Sequence, residues 1–345
     1  MKPLIFRAPT LCLLIWMLLT PYSMADGNNH SAVTESSLSS MLKSLRGGTA
    51  DPKQDNEQLQ LQQFSFTVNG KERTYYVHVP PKYAGKTALP LVFAFHGAGG
   101  RARLMPRLTG LSKFADKHSF ILVYPEGLNA RWNDGNGGKS AAEVEDVNFV
   151  RAILDKVEKS FKIDKKRVYA AGVSNGGFFS QYLCINMPDT FAAVASVAAT
   201  IEEHIYKNLK PPKPVPILFI MGDDDMIVPY EGGSIGVAGA LADKTERRAI
   251  SAQNAVNYWV KADQCGETPV ISNLPDARPS DGTHVIRKIY SGGQNGSEVV
   301  FFVIKNGGHT WPSGWQYLPD AIIGLTSKAI DADDEIWKFF QRHHL

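Results

Sequence analysis

Apolar and polar residues alternate over residues 64–68, pause at Asn69-Gly70, and alternate again over 74–79. A period of two marks a strand with one buried face, and Asn-Gly between two such runs marks a tight hairpin. The next apolar run, 89–95, is nearly continuous, as are 120–124, 168–171, 191–198 and 214–222. Runs of that kind belong to parallel strands covered on both faces. Between them the period changes. Residues 104–118 have a helical pattern, and Val147, Val150, Leu154, Val157 and Phe161 recur at three- and four-residue steps. Residues 178–185, 249–260 and 331–340 also read as helices, while 285–290 and 299–304 read as paired strands. Apolar strands alternating with helices predict an α/β fold, a mainly parallel sheet with helices on both faces and antiparallel edge strands.

The two ends of the chain read differently. Lys2 and Arg7 precede an apolar run at 11–19, and Ser23, Met24 and Ala25 supply small residues for cleavage, so 1–25 is expected to be a signal peptide. The apolar run is too short for a membrane span. Residues 26–62 are polar and poor in aromatics, a flexible segment in expectation. No linker or repeat divides 63–345, which is expected to be one catalytic domain. The mature protein is then secreted, to the periplasm or beyond, with no membrane attachment and as a monomer.

Composition narrows the choice of function. Of 345 residues, 43% are hydrophobic and 21% charged, enough apolar material for a large core. A net charge of +3 without a basic block argues against nucleic acid as a partner. Cys12 lies in the leader. Cys184 and Cys265 are left to form a disulfide or to stay as buried thiols. No Cys/His cluster has metal-ligand spacing, so no metal and no cofactor are expected.

Candidate chemistry centres on Gly172-Val-Ser174-Asn-Gly176, between a predicted strand and a predicted helix. Gly-x-Ser-x-Gly in that setting is the nucleophile elbow of an α/β-hydrolase, the fold class expected here, and it holds a serine hydroxyl above the sheet edge and over a helix N-terminus. A plain turn serine is the alternative. His96-Gly97-Ala98-Gly99-Gly100, directly after an early strand, suits an oxyanion loop. The Asn175 N–H would be one donor and Gly97 or Ala98 the other. His309, in the glycine-rich loop 306–309 after the last strand, is the candidate base. Asp223, Asp224 and Asp225 compete for the acid that orients it. Trp132 and Trp311 are candidate walls of a substrate cleft, with core packing the alternative.

These motifs, in this order, carry a resemblance. His96-Gly97, Tyr124-Pro125, Asp146 to Val150, Arg167 to Tyr169, Gly172 to Gly177, Asp225 to Tyr230 and Gly307 to Pro312 resemble the secreted esterases of the polyhydroxybutyrate depolymerase-like group. That group overlaps feruloyl and acetylxylan esterases, and the match runs over about 64–345. The resemblance implies a serine esterase without cofactor, acting on hydroxyalkanoate oligomers or, alternatively, on feruloyl or acetyl esters of plant polysaccharide. It selects Asp225, which directly precedes the x-x-Val-Pro-Tyr segment, although Met221 to Asp224 departs from the family's His-Gly-Thr-Ala. Outside the enzyme class, an inactive carbohydrate- or polymer-binding protein remains as the second reading.

Overall fold

The computed structural model describes residues 61–135, 145–207, 210–236, 247–275 and 281–345. The expected leader and nearly all of the polar segment lie outside the described residues. The alternating start of the chain becomes a hairpin, β1 (Gln62–Val68) antiparallel to β2 (Lys71–His78). Asn69 and Gly70 both have positive φ, 47° and 75°, the twist a two-residue hairpin needs.

The continuous apolar runs become β3 (Leu89–Phe95), β4 (Ile121–Pro125), β5 (Ile163–Val173), β6 (Ala193–Val197) and β7 (Ile217–Gly222). Further on come β8 (Val270–Leu274), β9 (His284–Tyr290) and β10 (Val299–Lys305). They form a ten-stranded sheet ordered β1-β2-β4-β3-β5-β6-β7-β10-β9-β8. The six strands from β4 to β10 run parallel, and an antiparallel pair closes each edge. The pairing of β9 with β10 matches the sequence pattern. The outermost strand, β8, has exposed Val270 and Ile271 and no clean alternation, so periodicity did not reveal it.

Among the described residues five longer helices cover the sheet: α1 (Leu111–His118), α2 (Asp146–Ser160), α3 (Asn175–Asn186), α4 (Ala252–Ala262) and α5 (Ala332–Phe340). Side chains alternate across the pleat, so Phe93 and Phe95 join one core and Val92 and Ala94 the other. The first core takes α2, α3 and α4 through Phe149, Phe179 and Trp259. The second takes α1 and α5 through Leu111, Ile336 and Phe340. The predicted helix at 104–118 is broken, since Gly110 with φ 120° separates a short turn, Met105–Leu108, from α1. Cys184 and Cys265 are free buried thiols, hydrogen-bonded to the carbonyls of Ser180 and Ser297.

Because β3 to β7 and β10 are parallel, their C-terminal ends share one edge of the sheet. Loops carrying residues 96–100, 174–175, 198–202, 223–230 and 306–325 all leave from it. Ligands of open α/β sheets bind at that edge.

Candidate active site

Ser174 stands between β5 and α3 with φ 56° and ψ −125°, a conformation that costs a non-glycine residue free energy. Its surroundings hold it there. The Ser174 N–H donates to Val197 O, and its carbonyl accepts from Gly177 N and Phe178 N, starting α3 at once. The turn is so tight that only glycine fits beside it. A Cβ on Gly172 would stand 2.1 Å from Gly176 O, and one on Gly176 would stand 2.3 Å from Phe95 O. The positive end of the α3 dipole lies under the serine, where it favours developing negative charge.

The 96–100 loop lies against this serine. A Cβ on Gly97 would meet Ser174 Cβ at 3.2 Å and Ser174 Oγ at 3.8 Å. Buried His96 organises the loop: its Nε2 accepts from Gly127 N at 2.9 Å, so Nδ1 carries the proton it donates to Gly97 O at 2.8 Å. Burial pushes the His96 pKa down, partly offset by the Gly97 hydrogen bond, so the ring stays neutral as this arrangement requires.

Trp132 is not at the surface. Its indole is 4% exposed, stacks on Phe179 at 5.0 Å, meets Phe95 edge-on and donates Nε1–H to His96 O. It therefore supports the 96–100 loop from below instead of walling a cleft. Trp311 is also core, 1% exposed, with Nε1 donating to Asp333 on the opposite side of the sheet. Burial raises the Asp333 pKa to about 8, which makes that carboxyl a neutral partner over much of the pH range.

Asp225 and His309 lie in the loops that follow β7 and β10, adjacent parallel strands, and are both buried. His309 Nδ1 lies 2.8 Å from Asp225 Oδ2, and Asp225 Oδ1 accepts from the backbone of Ile227 and Val228. An ionised carboxylate only accepts, so the proton sits on Nδ1 and Nε2 keeps its lone pair. The other two aspartates are placed differently. Asp223 pairs with Lys305 and accepts from Asn306 N, and Asp224 is exposed. Tyr317 donates its hydroxyl to the His309 carbonyl, which ties down the loop after the histidine. Burial raises its pKa, and the Asp225 charge adds to the effect.

Asn175 does more than offer its backbone N–H. Its Oδ1 accepts from Trp132 N, and its Nδ2 donates to Trp132 O and to Asp134 Oδ2 at 2.7 Å. Asp134 also takes Arg247 at 2.7 Å, and Arg247 pairs on with Glu202. One residue earlier, the Asn133 N–H donates to Asp146, which is paired with Arg73 at 2.6 Å. Burial raises the Asp146 pKa, with Arg73 pulling it back. These contacts anchor the loop at 132–134 from two sides. Asp134, Arg247 and Glu202 are far apart in sequence and share no motif, so sequence reasoning missed them. It also missed Trp315, 38% exposed in the His309 loop, with the Arg107 guanidinium 3.9 Å from its ring centroid.

No group of three or more potential metal ligands occurs among the described residues. The fold is that of the α/β-hydrolases. Two solved structures share it with TM-scores of 0.52: a thermostable esterase, at 16% identity over 83% of this chain and 63% of its own, and an acetyl xylan esterase from Aspergillus awamori, at 12% over 81% and 99%. The chain belongs to the esterase family, whose model, described as "Putative esterase", matches residues 67–263, and it is a carboxylic ester hydrolase. It is 33% identical to the "Putative esterase NocK" of Nocardia uniformis over 77% of this chain and 78% of that protein. It is 28% identical to feruloyl esterase B of Piromyces equi, over 71% of this chain but only 45% of that longer protein. Feruloyl esterase D of Neurospora crassa is 27% identical over 72% of this chain and 77% of its own length.

Proposed function

We propose that the protein is a secreted serine esterase working through an acyl-enzyme on Ser174. The observation that carries this reading is the buried Asp225–His309 hydrogen bond on the sheet edge that presents a strained elbow serine. His309 Nε2 takes the Ser174 proton as Oγ attacks the ester carbonyl carbon. The carbonyl electron pair moves onto oxygen, held by the N–H groups of Asn175 and of Gly97 or Ala98. Collapse breaks the bond to the alcohol, which leaves with the proton from Nε2. Water then repeats both steps on the acyl-serine, freeing the acid and restoring the hydroxyl. Asp225 keeps the imidazole oriented and stabilises its charged form.

Feruloyl esters are the favoured substrate class, supported by the names of two relatives. Hydroxyalkanoate oligomers are the second reading, supported by the motif set of the polyhydroxybutyrate depolymerase-like group. Export is supported by the basic, apolar and small-residue order of residues 1–25. A fluorophosphonate probe labelling wild type but not Ser174→Ala supports the nucleophile. Absence of labelling in active-site-intact protein would return the chain to the binding-protein reading. A panel of methyl ferulate, acetylated xylan and hydroxybutyrate trimer then ranks the substrates.

A further inference from the structure

Beside the elbow helix lies a half-open recess of about 20 Å³, room for roughly one water-sized group. Phe178, Tyr182 and Ile205 give it apolar walls, and Asp134, Thr200 and Glu202 supply its polar lining. Thr200 and Glu202 are 0% and 1% exposed, and neither Thr200 Oγ1 nor Glu202 Oε2 has a hydrogen-bond partner among the described residues. His204 Nδ1 stands 3.4 Å from Glu202 Oε2, outside hydrogen-bond geometry. Nearby, Arg247 Nε is also buried without a hydrogen-bond partner among the described residues, while Gln181 and Arg247 Nη2 are engaged. Gln181 donates to Ser196 Oγ and Thr200 O and accepts from Trp259, and Arg247 holds Asp134 and the other Glu202 oxygen.

A buried hydroxyl without a hydrogen bond, beside a buried carboxylate oxygen that has only the long His204 contact, costs stability, so their retention calls for something that joins them. The carboxylate oxygen can only accept, while the threonine hydroxyl can donate or accept. Their natural complement is another hydroxyl, donating to Glu202 and accepting from Thr200. Position links the recess to the site, because Asp134 is bonded to Asn175 and Phe178 N donates to Ser174 O. Its helix residues follow Ser174 by four to eight positions, about 6–12 Å along α3.

We propose that Thr200 and Glu202 form a subsite that reads a hydroxyl group of the ester substrate. This rests on the esterase reading above and says which feature of the ester is selected. A phenolic hydroxyl para to a propenoyl ester lies about 8 Å from the carbonyl carbon by ordinary bond lengths, far enough to be read away from the serine. A sugar hydroxyl on the alcohol side meets that condition too. The 3-hydroxyl of a butyryl group reaches about 4 Å, half as far.

The test compares kcat/KM within matched ester pairs for wild type, Thr200→Val, Thr200→Ser and Glu202→Gln. Methyl 4-hydroxycinnamate against methyl cinnamate reads a hydroxyl on the acid. Feruloyl-arabinose against methyl ferulate reads one on the alcohol. Wild type should favour the hydroxylated member of one pair by about tenfold. Thr200→Val and Glu202→Gln should erase that preference and Thr200→Ser should keep it, the affected pair naming the source. The ratio within a pair cancels any general loss of activity, and Thr200→Val carries the test if Glu202→Gln does not fold. Variants that leave both ratios at wild-type values would mean that the recess holds a structural water only, and the inference falls. Wild type that cleaves p-nitrophenyl acetate without preference in either pair overturns the subsite and leaves the esterase standing. Wild type inert to every ester overturns both.

Discussion

The two halves of the candidate site are built by different means. On the β3–β5 side the backbone does the positioning: Gly172 and Gly176 allow a turn no side chain could enter, and Gly97 lies against Ser174. On the β7–β10 side a side-chain hydrogen bond does it, with Asp225 held by two backbone N–H groups and itself holding His309. The difference teaches where each half is vulnerable. The serine half should fail through added bulk or a weakened support. The histidine half should fail through lost charge or orientation.

The largest effect expected is at the centre of the serine half. Ser174→Ala should reduce kcat by about 10⁴–10⁶ in p-nitrophenyl acetate hydrolysis while the thermal midpoint holds or rises, since strain is not being added. Turnover within tenfold of wild type would remove Ser174 from the mechanism. The histidine half comes next. Asp225→Asn should cut kcat by about 10³–10⁴, whereas Asp223→Asn and Asp224→Asn should stay within a few-fold. If Asp224→Asn proved the damaging change, the acid would have to be reassigned.

A smaller effect separates the tryptophans. Trp132→Phe keeps an aromatic ring on Phe179 but deletes the donor to His96 O, so it should cost about 1–3 kcal/mol of stability and lower kcat several-fold with KM nearly constant. Trp311→Phe, on the other core, should cost comparable stability with kcat intact. Equal kinetic losses at both positions would break the idea that Trp132 supports the oxyanion loop.

The smallest effect concerns pH and lies away from both halves. Asp333 has a folded-state pKa raised to about 8 from 3.8 by burial. Between those values the folded chain keeps a proton that the unfolded chain has lost, so stability falls as pH rises through that window. Asp333→Asn has nothing to titrate there. Its thermal midpoint should fall less than wild type's by a few degrees between about pH 5 and pH 8. Parallel melting curves across that range would contradict the raised value.

Much of this was legible along the chain. The hairpin at Asn69-Gly70, the buried strands and the elbow all follow from local pattern, because backbone φ, pleat and helical period are set by residues close in sequence. His309 could be nominated because it follows the last predicted strand, whereas Asp225 was one of three adjacent candidates and only the family resemblance singled it out. The two tryptophans show the other side. Trp132 and Trp311 sit in loops, where periodicity says nothing about burial, and only packing against Phe179 and Asp333 placed them inside.

By itself, then, the sequence determined the order of elements, the class of sheet and the identity of a serine on a tight turn, since these depend on short-range sterics and on the alternation of apolar positions. Tertiary structure decided which of three adjacent aspartates faces the histidine, that Asn175 is anchored through Asp134 to Arg247 and Glu202, and that a hydroxyl-sized recess opens beside α3. Those outcomes depend on residues tens to more than a hundred positions apart, brought within hydrogen-bond distance by the crossovers of a parallel sheet. No local pattern encodes such meetings, because each partner satisfies its own segment's preferences whether or not the other arrives.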